Sequence, residues 1–575
     1  MSKIILADKG KALMPIAYAE GAGDDYKNAA LDLAHYLNLI TDANFEIVEG
    51  FDGPGIRLMV DEKLEEEEFV IKTCDCCGGL KIAGGSVRGM FYGVFGFLED
   101  VLGVGFYTHD VTKIPTIETL ELENVDIDDK PALEFRQLDN PVHSFGDWRA
   151  HNRLNGPDHN HVTVRRDPLN QFGGLKGFAG DHDWFCHTFR RLVDPDIYFD
   201  EYPEYFSMVD GVRIKERTQL CLTNPEVQRI AIEKVRSVLR AHPEGRLISI
   251  SQNDWYNPCE CPECAKMDAE NGSHAGTLVY FLNTIAEAIE EEFPQVVVDT
   301  LAYQYTRTPP KVVKPRHNVC IRLCSIECCF GHPLETCDRV TGSYGANKKT
   351  SKASFQEDLI GWGKICNRIY IWDYVTNFRH YWLPFPNFHV LGPNIQFFVK
   401  NGCVGVYEEG NYQSVSPDLW ELRGWLMAKL LWNPWFDVKK GIRDFCDAVY
   451  GPAADEIVAY VELLERRVTD ANIHFGIYEG PNVDYLDADT MVKAHELIDA
   501  AQAKCLNLSQ RLYVEKVALT LEFVEVGKAV LRGEIDNKRI AAMMEKGRML
   551  GISRISEGTP WTKAIRAMQQ GLLYR

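Results

Sequence analysis

The sequence lacks the features that would give it a membrane or a nucleic acid as partner. It has no run of about 18 consecutive apolar residues, the length that a membrane helix requires; the best candidate, residues 89–106, is interrupted by Glu99 and Asp100. Positive charge is scarce, since 62 Lys and Arg stand against 83 Asp and Glu for a net charge of -21. Because phosphate groups are bound by clustered cations, we expect neither a nucleic-acid nor a membrane partner.

Several common motifs are also missing. There is no P-loop, no Rossmann G-x-G-x-x-G and no G-x-S-x-G nucleophile elbow, so nothing supports nucleotide binding or serine-hydrolase chemistry. The apolar stretch at residues 4–7 is too short for a signal-peptide core. The 17 cysteines are odd in number and include two vicinal pairs, which fits reduced thiols better than a disulfide framework. We therefore expect a cytoplasmic protein, or a secreted one whose leader was removed before this numbering begins.

What is present is an α/β chain of three unlike parts, with the 45% hydrophobic content of a globular protein. Residues 1–130 combine short strands with apolar helices and predict a small α/β domain. Residues 131–434 repeat a strand–loop–helix pattern and predict a (β/α)8 TIM-like barrel. Residues 435–575 have amphipathic helical spacing with few strand signals and predict an α-helical domain.

The barrel prediction depends on six strands and five helices that alternate along the chain. The predicted strands span residues 133–138, 247–251, 296–302, 319–323, 368–372 and 402–407, and the predicted helices span residues 225–241, 275–292, 352–365, 393–400 and 417–431. The stretch 139–220 is irregular and too long for a simple connection. It is therefore predicted to carry the early strands together with long loops.

Carboxylates stand at the ends of several predicted strands, where barrel enzymes place their active sites. Asp254 follows the predicted strand at residues 247–251, which counts as the fourth strand of the barrel. Asp373 stands at the end of the strand at 368–372, and Glu408 and Glu409 stand at the end of the last strand, at 402–407. Because side chains alternate in direction along a strand, Glu409 is predicted to face the interior together with Tyr407. The alternative is that these carboxylates only form ion pairs, with Arg322, Arg368, Arg379 or Arg423.

Aromatic and amide side chains accompany these acids. Aromatic faces suit pyranose rings, and glycoside hydrolysis needs one acid for the leaving oxygen and a second group for the oxocarbenium-like charge. The pattern therefore predicts sugar hydrolysis, which needs no cofactor. The candidate catalytic residues are Glu409, Asp254, Glu408 and Asp373, and the candidate substrate-binding residues are Asn253, Trp255, Tyr303, Trp372, Tyr374, Tyr407, His161 and Asn411.

Three cysteines, Cys259, Cys261 and Cys264, fall within six residues of the loop after the fourth strand. Three thiols at this spacing can share one tetrahedral metal ion, with a fourth ligand from Cys328 or Cys329, of which Cys328 is selected. The spacing fits a structural zinc, a catalytic metal with an open position, or three metal-free thiols. The zinc remains a hypothesis at this point.

Histidines cluster in the irregular stretch, at positions 151, 159, 161, 182 and 187. They lack an i, i+4 helical pair, and arginines lie among them, so hydrogen bonding to substrate is favoured over metal ligation.

Four sequence blocks carry a resemblance to a known family. They are Ser-Gln-Asn-Asp-Trp at 251–255 with the following Cys-x-Cys-Pro-x-Cys, residues 324–333, residues 371–378 with 384–387, and Gly-Val-Tyr-Glu-Glu-Gly-Asn at 405–411. These blocks resemble the large bacterial family labelled domain of unknown function 4838, which is itself similar to glycoside hydrolase family 163, endo-β-N-acetylglucosaminidases acting on N-glycans. Residues 87–99 and 102–105 resemble the small α/β domain that precedes the barrel in α-glucuronidases and β-hexosaminidases.

The resemblance implies a retaining hydrolase that cleaves a bond next to an N-acetylhexosamine, with the substrate's own 2-acetamido group attacking. In such enzymes the acid and the residue that orients the acetamido group often follow the fourth strand. This chain has Asn253-Asp254 there rather than two acids, which favours Glu409 as the acid and Asp254 as its partner.

Two alternatives stay open. One is an α-glucuronidase-like hydrolase with a uronate pocket lined by Arg307 or Arg379, and the other is a carbohydrate-binding barrel without catalysis. The expected partner is an oligosaccharide or glycan, and the sequence is compatible with a homo-oligomer.

Overall fold

The computed structural model describes residues 3–74, 78–157, 167–180, 184–337 and 353–573. Three parts follow one another along the chain: an α/β unit, a curled parallel sheet flanked by helices, and a largely helical part. Within the described ranges, no helix combines the length and the apolar character needed to cross a membrane.

The N-terminal unit is built on a six-stranded sheet in the order β11-β6-β7-β5-β3-β4, with a core of its own beneath two helices. Helix α2 starts directly on this sheet, and a Cβ at Gly84 would lie 2.0 Å from the backbone N of Met90, so only glycine fits there. The elements are β1 (Ile4–Asp8), β2 (Lys11–Ala12), β3 (Ile16–Tyr18), α1 (Asp24–Thr41), β4 (Ile47–Glu49), β5 (Ile56–Val60), β6 (Phe69–Cys74), β7 (Gly79–Gly84), α2 (Val87–Gly96), β8 (Gly105–Phe106), β9 (Thr112–Lys113), β10 (Thr119–Leu122) and β11 (Asp126–Asp129).

The central part contains six parallel strands in the order β12-β19-β18-β17-β16-β15. All six predicted strands are found, with ends shifted by up to two residues. The elements are β12 (Phe135–Asp139), α3 (Gly146–His151), α4 (Phe189–Leu192), α5 (Pro195–Tyr198), β13 (Met208–Val209), β14 (Val212–Arg213), α6 (Pro225–Ala241), β15 (Leu247–Ser249), α7 (Pro262–Asn271), α8 (Ala275–Glu290), β16 (Val297–Ala302), β17 (Val319–Cys324), α9 (Phe355–Gly363), β18 (Ile369–Tyr374), α10 (Phe388–Lys400), β19 (Cys403–Glu409) and α11 (Trp420–Trp432).

Two irregular segments continue the sheet between β12 and β15. They lie in the stretch that was predicted to carry the early strands, and their backbones pair as neighbouring parallel strands do. Backbone N–H groups donate from Gly156 to Arg136 (3.0 Å), from Lys176 to Asn155 (2.9 Å) and from Ala179 to Leu247 (2.6 Å). The curled parallel sheet is thus consistent with a TIM-like barrel in which two of the strands are irregular.

The barrel interior contains a fully buried ion pair. Arg322 of β17 donates from Nε to Asp299 Oδ2 of β16 at 3.1 Å and from Nη2 to the other carboxylate oxygen. Its guanidinium lies 4.5 Å from the ring centre of Phe185 and 5.5 Å from that of Trp372. Because an isolated charge is very costly to bury, each member of the pair requires the other.

The C-terminal part contains the predicted helices and one strand pair that the sequence pattern did not predict. The apolar core of the barrel continues without interruption into this part. The hairpin β20–β21 docks on the loop after β18, where Tyr381 N donates to Ile555 O at 2.8 Å and Glu557 N to Phe378 O at 2.9 Å. The elements are α12 (Val438–Val449), α13 (Ala454–Asp470), α14 (Ala488–Lys504), α15 (Leu508–Leu531), α16 (Asn537–Met549), β20 (Arg554–Ser556), β21 (Thr559–Pro560) and α17 (Trp561–Gln569).

One buried carboxylate joins the N-terminal unit to the barrel. Glu67 accepts hydrogen bonds from Arg88 Nε (2.6 Å), Arg136 Nη1 (2.7 Å) and Asn155 Nδ2 (2.7 Å), so it connects α2, β12 and an irregular strand. Burial favours a higher pKa for Glu67, but the charges of Arg136 and Arg88 outweigh it and lower the pKa from 4.5 to about 2.

We expect Glu67→Gln to destabilise the protein by about 3–5 kcal/mol, because it leaves two buried guanidinium groups without their counter-charge. Because the pKa of Glu67 is lowered in the folded state, this contribution is complete above pH 4.5 and is lost as the pH falls toward 2. Urea unfolding at pH 7 measures the loss. The control is Glu65→Gln, which removes an exposed ion pair with Lys130 and is expected to change stability by no more than about 0.5 kcal/mol. Equal effects of both variants would contradict the linking role of Glu67.

Candidate active site

A pocket of about 140 Å³ opens at the C-terminal ends of the barrel strands. A neighbouring cavity of about 530 Å³ shares His187 and Asp254 with it, so the two form one cleft. The pocket is lined by His187, Asp254, Leu301, Tyr303, Cys324, Ile326, Trp372, Tyr374, Phe378, Glu409, Tyr478 and Glu557. The strand ends thus bring five of the predicted residues together: Asp254, Tyr303, Trp372, Tyr374 and Glu409.

Glu409, the last residue of β19, lies on the pocket wall. Its Oε2 accepts a hydrogen bond from the indole Nε1 of Trp372 at 2.8 Å. Burial is the main cause that raises the pKa of Glu409 well above its usual value, and the nearby charge of Glu557 raises it further, while the indole hydrogen bond opposes both. Glu409 is therefore a carboxyl group that stays protonated at a pH where ordinary carboxyl groups are ionised.

Asp254 also lines the pocket and is exposed to solvent. Its Oδ1 accepts a hydrogen bond from the Tyr303 hydroxyl at 3.1 Å. The loop that carries it is clamped by Gln219, whose Nε2 donates to the carbonyl oxygens of Asn253 and Trp255, both at 2.7 Å. The pocket thus contains two carboxyl groups in contrasting surroundings, one buried and one exposed to solvent.

The neighbours of Asp254 have different positions. The Asn253 amide is used within the protein, because Nδ2 donates to Thr218 O at 2.9 Å and Oδ1 accepts from Arg190 N at 3.1 Å. Trp255 is 42% exposed and lines the neighbouring cavity, with its ring 5.3 Å from the Arg217 guanidinium. Asn253 therefore holds the loop, whereas Trp255 presents an open aromatic face.

The other two candidate catalytic acids, Asp373 and Glu408, lie elsewhere on the sheet. These two pair in register on β18 and β19, and neither lines the pocket. The Ser325 hydroxyl donates to Asp373, whereas neither carboxyl oxygen of Glu408 has a hydrogen-bond partner among the described residues. Burial raises the pKa of Asp373 to about 6, and burial together with Asp373 raises that of Glu408. Because Glu408 precedes Glu409 on one strand, its side chain points to the other face.

Two further candidates lie beneath the site or beside it. Tyr407 is buried under Trp372, with ring centres 4.6 Å apart, and its hydroxyl donates to Asp139 Oδ2 at 2.6 Å. Asn411 donates to Ser414 O at 2.6 Å and so shapes the loop after β19. Neither lines the pocket, and the predicted His161 lies outside the described residues.

The sequence reasoning missed the third carboxyl group of the pocket. Glu557 comes from the β20–β21 turn, where Tyr412 OH donates to its Oε1 at 3.1 Å. Burial raises the pKa of Glu557, against the effect of that hydrogen bond. The only local signal was Gly558 before Thr559-Pro560, a turn pattern in a stretch otherwise helical. His187, whose Nδ1 donates to Gln252 O at 2.7 Å, was noted only as one of a group of histidines.

The arginine expected to bind a uronate is used elsewhere. Arg307 is buried and donates to Glu327 Oε2 at 2.9 Å and to Asp358 Oδ2 at 2.7 Å. Neither Arg307 nor Arg379 lines the pocket, and no arginine or lysine occurs among the described residues that do.

Four buried cysteines form a cluster beside the Asp254 loop. Cys259, Cys261 and Cys264 come together as predicted, but the fourth thiol is Cys221, so the selection of Cys328 is wrong. Cys221 precedes α6 and lies 3.6 Å from Cys261 and 3.9 Å from Cys264, measured between Sγ atoms. Cys328 instead belongs to the apolar core of the barrel. The buried four-cysteine cluster could hold a structural metal.

Solved structures resemble this chain in fold. A family GH115 4-O-methyl-α-glucuronidase with specificity for decorated arabinogalactans is 13% identical, with a TM-score of 0.60 over 95% of this chain and 76% of its own. A family GH89 enzyme from Clostridium perfringens, solved with its substrate GlcNAc-α-1,4-galactose, is 12% identical, with a TM-score of 0.52 over 95% of this chain and 70% of its own. At these identities the likeness shows the glycoside-hydrolase-like fold alone.

No curated protein matches the sequence. A family model described as Domain of unknown function (DUF4838) matches residues 106–462, which span the barrel sheet and the first C-terminal helices. Since this match covers more than half of the chain, the protein belongs to the DUF4838 family.

Proposed function

We propose that this protein is a glycoside hydrolase that cleaves a β-linked bond next to an N-acetylhexosamine in an oligosaccharide. The observation that carries the proposal is the pocket itself, which is lined by buried Glu409 and exposed Asp254 together with Trp372, Tyr374 and Tyr303. This reaction requires at least two carboxyl groups in different environments, and the aromatic side chains of the pocket wall suit a sugar ring.

Glu409 is the proposed general acid. Burial raises the pKa of its carboxyl group well above the usual value and so favours the protonated form that a general acid needs, and the indole of Trp372 fixes the position of Oε2. This leaves the remaining oxygen to carry the proton toward the glycosidic oxygen. Protonation of that oxygen makes it a better leaving group as the bond to the anomeric carbon breaks.

Asp254 is the proposed partner, acting with Tyr303. In a substrate-assisted reaction the acetamido oxygen attacks the anomeric carbon, and an anionic group that accepts the acetamido N–H stabilises the positive charge that develops on it. The hydroxyl that donates to Asp254 Oδ1 fixes the orientation of this carboxylate, which supports the proposed role. The intermediate is then opened by water, so the configuration at the anomeric carbon is retained.

The pocket favours a neutral sugar over a glucuronide. A uronate carboxylate requires a cation, yet the described lining of the 140 Å³ pocket has three carboxyl groups and neither arginine nor lysine. The cations of the cleft, Arg190, Lys215 and Arg217, line the neighbouring 530 Å³ cavity instead. The fold-level likeness to a glucuronidase does not alter this electrostatic argument. We therefore expect faster turnover of aryl β-N-acetylglucosaminides and of N-acetylhexosamine-containing glycans than of aryl glucuronides. Binding of these glycans without any turnover would instead support the carbohydrate-binding alternative.

We also propose that the four-cysteine cluster binds a structural zinc ion. Tetrahedral zinc with Zn–S bonds of about 2.3 Å separates its sulfur ligands by about 3.8 Å, which agrees with the 3.6 and 3.9 Å separations between thiols here. Arg213 Nη1 lies 3.4 Å from Cys259 Sγ, where it would offset part of the charge of four thiolates. The ion would fasten the loop after β15, and with it Asp254.

We expect Glu409→Gln to reduce kcat/KM on a natural glycan roughly 10²–10⁴-fold, because the leaving oxygen is no longer protonated. An aryl glycoside with a good leaving group needs less acid assistance and should retain more activity. Steady-state kinetics on both substrates measures the difference.

The matched control for this variant is Glu408→Gln, which makes the same change one residue earlier on the opposite face of β19. It is expected to leave the kinetics unchanged. Loss of activity in Glu408→Gln alone would remove Glu409 from the mechanism.

We expect Glu557→Gln to shift the alkaline limb of the kcat/KM profile to lower pH. A general acid loses activity as the pH rises through its pKa, and Glu557 is one of the groups that raise the pKa of Glu409. Removing that charge lowers the pKa of Glu409 and brings the loss of activity to lower pH. A uniform decrease at every pH with an unmoved alkaline limb would show that Glu557 acts on the substrate instead.

We expect Cys221→Ser to contain about one zinc ion fewer per chain than the unmodified protein and to unfold at a lower temperature, because bound zinc contributes directly to folding free energy. Cys328→Ser is the control, since it removes a buried thiol outside the cluster. Elemental analysis of protein purified without added metal gives the zinc content. Equal zinc content in Cys221→Ser and the unmodified protein would refute the site.

A further inference from the structure

A second group of metal-ligand side chains brings the loop after β17 together with the helical part of the chain. It consists of Cys329, His332 and Cys337, from the loop after β17, and His474, from the connection between α13 and α14. The four candidate ligand atoms all lie within 4.8 Å of one another. None of these residues belongs to the four-cysteine cluster, and the proposed reaction uses none of them.

The separations between these atoms match a tetrahedral ion. Zinc with bonds of about 2.0 Å to nitrogen and 2.3 Å to sulfur places its ligand atoms about 3.3–3.8 Å apart. Cys329 Sγ lies 3.4 Å from His332 Nδ1, and Cys337 Sγ lies 3.7 Å from His474 Nδ1. Each thiol is thus paired with an imidazole at the expected distance, one pair within the loop and the other across to the helical part.

The backbone around this group is already arranged to bring the two segments together. Phe330 N donates to Phe475 O at 3.0 Å, next to one ligand in each segment. A Cβ at Gly331 would lie only 2.7 Å from Ile473 O, so a residue without a side chain is needed at this approach. The two segments are therefore in direct contact. An ion between them would bind ligand side chains that these backbone contacts already bring together.

From these contacts we infer a second structural zinc site, of the Cys₂His₂ type, formed by Cys329, His332, Cys337 and His474. Two thiolates and two neutral imidazoles leave a bound Zn²⁺ without net charge, which suits a half-buried position. The site is closed by four protein ligands, so it has no open position for substrate or water. Its role is to fasten the α13–α14 connection to the barrel.

This connection reaches the active-site pocket. Tyr478 lies four residues after His474 and lines the pocket, and Ile477 O accepts a hydrogen bond from Phe378 N at 2.8 Å. An ion at His474 would therefore fix the segment that positions Tyr478. This consequence rests on the proposed function, whereas the metal site does not.

The test is the zinc content of the unmodified protein and of its variants, all purified without added metal. With both sites present, we expect about two zinc ions per chain in the unmodified protein, one in Cys221→Ser, one in His474→Ala and none in the double variant. His474→Cys should restore the second ion, because a thiolate can replace an imidazole at tetrahedral zinc. Cys328→Ser again serves as the control and should keep both.

Two outcomes would overturn the inference. One is an unmodified protein that contains a single zinc ion, which Cys221→Ser removes. This outcome can be read even if His474→Ala does not fold. The other is the loss of two reactive thiols to a Cys329–Cys337 disulfide, found by thiol titration of the unfolded, unreduced chain.

The effect on Tyr478 has a separate readout. His474→Ala should raise KM more than it lowers kcat, because it loosens a pocket wall and leaves Glu409 and Asp254 in place. If the protein hydrolyses no glycoside, this kinetic test fails while the zinc contents stand, so failure of the function and failure of the site are distinguishable.

Discussion

The buried ion pair between Arg322 and Asp299 is the interaction on which the pocket is built. Two charges inside a barrel are stable only as a pair, and here the guanidinium is enclosed by aromatic rings rather than by water. One of those rings is Trp372, whose indole N–H then points at Glu409. The pair thus holds buried aromatic rings at the base of the pocket. Burial against these rings raises the pKa of the Glu409 carboxyl group.

The rim depends on a different kind of support. The irregular strands and long loops around the pocket make few sheet hydrogen bonds, and side chains perform the corresponding task. Gln219 clamps the Asp254 loop, Glu67 joins an irregular strand to the N-terminal unit, and the two groups of metal-ligand residues lie in or against the loops after β15 and β17. Long loops are mobile unless they are tied down in this way, and a pocket that aligns two carboxyl groups needs them fixed.

The sequence predicted the parts of this arrangement that depend on local periodicity. The barrel strands were found because their apolar runs alternate with amphipathic helices, and the alternation of side chains along β19 separated Glu409 from Glu408. The same alternation along β18 directs the Asp373 side chain to the face opposite that of Trp372 and Tyr374. The prediction of Asp373 as a catalytic acid is therefore inconsistent with the rule that selects Glu409. Cys221 could not be predicted, since it lies far in sequence from the other three cysteines and only the fold brings it near.

Glu557 shows why the remainder of the site was out of reach of sequence patterns, and it has a consequence for synthesis. The pocket combines barrel residues, from His187 to Glu409, with a turn that is translated after all the long helices. The parallel sheet, with Glu409 and Asp254, is therefore synthesised before the third carboxyl group. Because the apolar core of the barrel continues into the C-terminal helices, the pocket is complete only after the hairpin has been synthesised and has docked. Completion of the pocket is thereby linked to completion of the C-terminal part of the chain.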